Sequence, residues 1–169
     1  MLNRFSSILA CSLLLGSTAR AGVGENPEVE SVFRLSLGPS CMTTAPDGAW
    51  IFGVNQAERP RFRAVQVAKT GDVSAFPNEK MSADGGTSPT PLDAVEGVQA
   101  DDKGIIWILD NGRRSETTPK VLAWNFDKEK LNLVLNLAAP AIVPGSFLAD
   151  LAVDPEAPFI YIADPANGP

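Results

Sequence analysis

The chain reads as an all-β repeat protein of the β-propeller class, and three observations carry that reading. Three stretches share one order of parts, an apolar or small run, an acidic turn and an aromatic-led apolar strand: MTTAPDGAWIFGV (42–54), GVQADDKGIIWILD (97–110) and LAVDPEAPFIYIAD (151–164). Their aromatic anchors Trp50, Trp107 and Tyr161 recur at separations of 57 and 54 residues, close to the length of a four-stranded blade with room for loops. Between the anchors the apolar residues alternate with period two instead of following a helical stripe.

Taken in order, residues 1–21 have a basic start at Arg4, an apolar core from Ile8 to Leu15 and the small-x-small ending Ala19-Arg20-Ala21. That is the pattern of a secretory signal peptide, with an apolar run too short to cross a bilayer. A lipoprotein signal ending at Cys11 is the rival, disfavoured because the apolar core continues past that cysteine. The whole chain has 14 basic and 20 acidic residues, so removal of Arg4 and Arg20 leaves 12 and 20, a net charge of −8. Bulk charge of that sign excludes nucleic acid and anionic lipid as partners, and no membrane span is expected. Cys41 remains as an unpaired thiol, and without a second cysteine no internal disulfide is expected. The chain has no histidine, which excludes Ser-His-Asp and Cys-His nucleophilic systems and the usual His-bearing zinc sites within it. No Asn-x-Ser/Thr acceptor for glycosylation occurs.

Residues 22–39 form a leader in which Val32 to Leu37 alternates and predicts an edge or closing strand. A first blade spans about 40–81, with strands at Cys41 to Thr44, Trp50 to Val54, Arg63 to Val67 and about Val73 to Phe76; Lys69-Thr70-Gly71-Asp72 supplies its last hairpin turn. The Gly, Ser, Thr and Pro density of residues 82–91 predicts a surface loop. A second blade spans about 92–140: Val98 to Ala100, then Ile105 to Leu109, then Lys120 to Phe126. The run Leu131-Asn132-Leu133-Val134-Leu135-Asn136-Leu137 follows and predicts four leucines on one face. A third unit, 147–169, stops partway. The chain's 169 residues less the first 21 leave 148, material for about two and a half blades where closed propellers use roughly four to eight. The expectation is therefore an incomplete propeller.

The blocks GVQADDKGIIWILDNGR, PKVLAWNFDKEKL and FLADLAVDPEAPFIYIADPANG, together with the upstream MTTAPDGAWIFGVNQ, resemble the Yellow and major royal jelly protein family over about residues 30–169. The resemblance implies a secreted six-bladed propeller, distantly similar to the SMP-30/gluconolactonase superfamily, of which this chain supplies the N-terminal portion. It implies three functions without choosing among them. One is small-molecule binding in the channel, of a biogenic amine or a catechol, with dopachrome-conversion-like isomerisation. The second is a lactonase-like hydrolase using Ca2+ or another divalent cation. The third is a non-catalytic extracellular interaction or storage protein.

Blade geometry nominates the site residues. Inner strands start at the channel mouth, and aligning the units on Met42, Val98 and Leu151 brings Glu96 and Asp150 to it. Two carboxylates there suit calcium, which takes oxygen ligands, or a cationic amine; the competing role is accepting backbone N–H bonds in turns. Asp110, Asn111 and Arg113, around Gly112, form a second ligand-binding group, with Arg113 suited to an anionic function. Against it stands Asn-Gly as a hairpin turn pair. Trp50, Trp107 and Trp124 are expected in the core, and Lys128 and Lys130 at a solvated hairpin tip.

Overall fold

The computed structural model describes residue 31 and residues 34–167. The chain divides into two units, 1–36 and 37–169. The signal peptide expected at 1–21 lies outside the described residues. Of the leader strand expected at 32–37, residues 34–37 are described, and they form coil and a bend instead of a strand.

The second unit is all-β, made of antiparallel sheets, none closed into a barrel. The first sheet has the order β1 (Pro39–Thr44), β2 (Trp50–Val54), β3 (Ala64–Val67), β4 (Val73–Ala75). The second repeats it with β5 (Val95–Ala100), β6 (Ile105–Asp110), β7 (Lys120–Asn125) and β8 (Lys130–Asn136). The third pairs β9 (Asp150–Val153) with β10 (Ile160–Ala163). Short helices α1 (Glu79–Ser82) and α2 (Gly112–Ser115) punctuate the connections.

The acidic turns explain why each unit folds back where it does. Asp47 accepts the N–H of Ala49 at 2.9 Å and Gly48 takes φ +80. Asp101 accepts the N–H groups of Lys103 and Ile105 at 2.9 and 2.8 Å, and Gly104 takes φ +74. Asp154 accepts from Glu156 and Ala157 at 2.9 and 3.0 Å. In each turn a short carboxylate replaces the ladder bonds lost where the chain reverses.

Two apolar layers hold the sheets face to face. Ile51, Ala64 and Phe76 of the first sheet region pack with Ile106, Ile108, Leu122 and Trp124 of the second. On the other side Leu109 and Val121 pack with Leu148 and Leu151. β6 is buried on both faces because it faces one layer with each.

A polar clamp recurs between sheets. Thr43 Oγ1 accepts the N–H of Ala100 at 3.0 Å, and Gln99 Oε1 accepts that of Val153 at 2.7 Å. Thr43 and Gln99 hold the same place after Met42 and Val98, and the bonds span 57 and 54 residues, the period of the aromatic anchors. The third unit has Ala152 at this place, which offers no acceptor. Thr43→Val keeps the shape and leaves the Ala100 N–H without its acceptor, so it should cost about 1 kcal/mol. Urea unfolding together with faster amide exchange at Ala100 would show this; unchanged exchange would dismiss the clamp.

Two local expectations are corrected. The four leucines of 131–137 do not share a face: the pairing shifts between Ala123↔Leu133 and Trp124↔Leu131, leaving Asn132 as a bulge. Leu131 and Val134 turn toward the first sheet, whereas Leu137 packs in the layer facing the third. Nor is residue 82 surface loop. Ser82 is fully buried, its Oγ accepting the Ala64 N–H at 3.0 Å and donating to the Ala64 carbonyl at 2.7 Å.

Candidate functional site

The first strands β1, β5 and β9 lie side by side, and their N-terminal ends frame one cavity of about 350 Å³. Bulges shape its rim. The register shifts between Pro39 and Cys41 and again between Val95 and Gly97, which makes Ser40 and Glu96 the extra residues of equivalent strands. A bulge re-aims a side chain while the ladder continues on either side. Ser40 Oγ uses this to donate to the Val95 carbonyl at 2.7 Å, tying the first sheet to the second.

Glu96 and Asp150, from neighbouring sheets, both line the cavity, with Ser40, Cys41, Thr43 and Gln99 beside them. Asp150 is exposed and its Oδ1 accepts the Leu151 N–H at 2.8 Å; Glu96 is half-buried. Among the described residues no Lys or Arg lines this cavity. Close approach of the strands depends on a glycine here: a Cβ on Gly97 would stand 3.0 Å from the Leu151 nitrogen and 3.2 Å from Asp150 Oδ1. The structure brings Glu96 and Asp150 to the same cavity.

Cys41 lies on the same wall. Burial pushes its thiol up to about 11, and the charges of Glu96 and Asp150 push the same way, against the lowering hydrogen bonds of Ser40 and the Gly53 backbone. The thiol is neutral at physiological pH and a poor nucleophile. Because its folded pKa lies above the ordinary 9.0, this contribution to stability is full below pH 9 and fades as pH rises toward 11. A Cys41→Ala variant should lack that part of the alkaline loss in urea titrations. An identical alkaline profile would count against it.

The second group of candidates lies elsewhere. Asp110, Asn111 and Arg113 do not line the cavity. Asp110 is fully buried. Its Oδ2 accepts the Asp93 N–H at 2.8 Å and meets Lys120 Nζ at 2.9 Å. Its Oδ1 accepts from Ala94 and Gly112 at 2.9 and 3.0 Å. Asn111 is buried, its N–H donating to the Ala94 carbonyl at 2.9 Å. Arg113 pairs with Asp93 at 3.7 Å. Asn111-Gly112 is not the two-residue hairpin turn expected; the chain enters α2 there, with Gly112 and Arg113 at φ +62 and +53.

Asp93 and Lys120 escaped the sequence reading, though they complete this buried network. Lys120 Nζ lies 3.4 Å from Asp93, which also accepts from Thr117 Oγ1 at 2.9 Å. A signal was available in the third unit: Asp164 accepts the N–H of Phe147, 17 residues earlier, as Asp110 does that of Asp93. Of the three tryptophans expected in the core, Trp124 is buried there, Trp107 is half-buried against the layer facing the third sheet with Nε1 donating to Asp101 Oδ2 at 2.9 Å, and Trp50 is half-buried; none of the three lines the cavity.

The chain matches no family model and no curated protein. Among the described residues no three His, Cys, Asp or Glu side chains group to hold a metal ion, and no helix is long and apolar enough to cross a membrane. Chemically, the cavity offers two acidic groups, a hydroxyl pair in Ser40 and Thr43, and an apolar floor of Val98 and Leu151.

Proposed function

We propose that the chain is the N-terminal portion of a secreted propeller protein similar to the Yellow and major royal jelly family, and that the cavity at the ends of β1, β5 and β9 binds a small cationic molecule of the biogenic-amine or catechol-amine class. One observation carries the ligand class: among the described residues two carboxylates line the cavity and no basic side chain does. An ammonium group placed between them gains from both charges, and the flanking apolar side chains and hydroxyls suit an aromatic ring bearing hydroxyl groups. The order of strands within each four-stranded sheet and the side-by-side first strands support the propeller reading. Isomerisation of an oxidised catechol is the chemistry the resemblance adds to binding.

Calcium is the competing occupant, as a lactonase-like site would require. It takes six to eight oxygens, so Glu96 and Asp150 would be a minority of its ligands. Titration calorimetry with dopamine and, separately, with calcium chloride tests the choice. Dopamine should bind, and Glu96→Gln or Asp150→Asn should each weaken it about tenfold, or about 1.4 kcal/mol. Dopamine binding indifferent to both substitutions would sink the proposal. Calcium binding lost in the same variants would replace the amine with a divalent cation.

A further inference from the structure

The period of the strands lines the cavity at two levels. Cys41, Gly97 and Asp150 hold one equivalent place on β1, β5 and β9, with Glu96 as the bulge residue beside it, and Thr43, Gln99 and Ala152 hold the place two residues on. Two residues on in a strand is the same face, about 7 Å farther along. Glu96 and Asp150 belong to the first level, Thr43 and Gln99 to the second, and all four line the cavity. The levels offer opposite groups. The carboxylates accept. Gln99 donates, because its amide is fixed: Oε1 accepts the Val153 N–H at 2.7 Å, which the NH2 could not do, so the two N–H groups of Nε2 are the half left over. Among the described residues nothing accepts from them, although β5 has β1 on one side and β9 on the other. Thr43 Oγ1 accepts the Ala100 N–H at 3.0 Å and keeps its own proton to give. Ser40 does not, since its proton goes to the Val95 carbonyl.

We propose that Gln99 Nε2 and Thr43 Oγ1 set the specificity of the cavity, donating to oxygens on the ring of an amine whose ammonium is held by Glu96 and Asp150. This rests on the amine reading of the cavity given above and narrows its occupant to arylethylamines oxygenated on the ring. The step between the two levels is of the order of the distance from the nitrogen of an extended arylethylamine to its ring oxygens. A ring oxygen, whether hydroxyl or carbonyl, has the lone pairs that two donors require. An aliphatic diamine does not fit, because its second ammonium would face donors in place of acceptors. Calcium does not gain from the second level either: it takes oxygen ligands, and the Gln99 oxygen already holds the Val153 N–H. Gln99 and Thr43 thus have two roles in one side chain, the acceptor tying neighbouring sheets and the donor facing the cavity.

Titration calorimetry on the full-length protein with dopamine and with phenethylamine, which carries the same amine on an unsubstituted ring, tests this. Dopamine should bind about tenfold more tightly, the combined effect of two modest hydrogen bonds. Gln99→Leu and Thr43→Val should each cut that advantage to about threefold. Phenethylamine reports the fold and the acid pair in each variant: a merely structural role would weaken both ligands together and leave their ratio as it was. Equal affinity of the wild type for the two ligands, or a ratio unchanged by both substitutions, overturns the specificity and leaves the amine reading standing. Binding of neither ligand overturns that reading and the specificity with it.

Discussion

Asp110→Ala should lower the free energy of unfolding by about 3–5 kcal/mol, the range for removing one partner of a buried ion pair. The carboxylate is fully buried, faces Lys120 Nζ at 2.9 Å, and accepts three backbone N–H groups. Truncation leaves the Lys120 ammonium with the more distant Asp93 as its partner, and orphans the N–H groups of Asp93, Ala94 and Gly112. Asp110→Asn should rescue little. Both oxygens face donors, so whichever way the amide turns, its NH2 meets N–H groups or the ammonium. An apolar double replacement, Asp110→Leu with Lys120→Met, removes both charges but still strands the three backbone donors. It should therefore remain well below the wild type, unlike ion pairs whose apolar replacement is nearly neutral. Urea unfolding followed by tryptophan fluorescence measures all three. A near-native Asp110→Asn would show that the second oxygen contributes nothing.

The same network shows where sequence reading stops. Strands and turns were legible because each is decided within a few residues. Ile105 to Leu109 can satisfy its backbone and bury its side chains only as an inner strand, and Asp47, Asp101 and Asp154 close their turns by bonds to residues two to four positions on. The repeat was legible too, since the 57- and 54-residue spacings of the aromatic anchors reappear as the Thr43–Ala100 and Gln99–Val153 bonds. Partners chosen by the third dimension were not. Nothing local distinguishes Asp93 from other loop acids, Ser82 from the polar run that follows it, or Asn132 from a residue in regular alternation. A bulge shifts one residue and moves every later side chain to the other face, which is why the leucines of β8 divide between two layers. At the cavity the chain order placed Asp150 at the strand start equivalent to Gly97, with Glu96 one residue earlier, and the side-by-side packing of β5 and β9 brings both carboxylates to the one cavity.

Gly53→Ala should destabilise by about 1–3 kcal/mol, as overpacking of a tight contact does, and should weaken the proposed amine binding at the cavity as well. Gly53 sits opposite Cys41 on β1. A Cβ there would come within 2.5 Å of Cys41 Sγ, 2.8 Å of Ser40 Oγ and 2.9 Å of the Val95 carbonyl oxygen. The first two contacts can relax by rotation of a side chain. The third cannot, because Val95 is backbone of β5, fixed by its pairing with Asp110. The methyl group must therefore push the first sheet from the second, stretching the Ser40 bond to Val95 and displacing Ser40 and Cys41 from the wall they share with Glu96. Introducing Cys41→Ala alongside Gly53→Ala separates the two causes. Partial recovery of stability without recovery of binding is the expected result. Full recovery of both would mean that the sulfur alone excludes the side chain, and that the distance between the sheets is set by something other than this glycine.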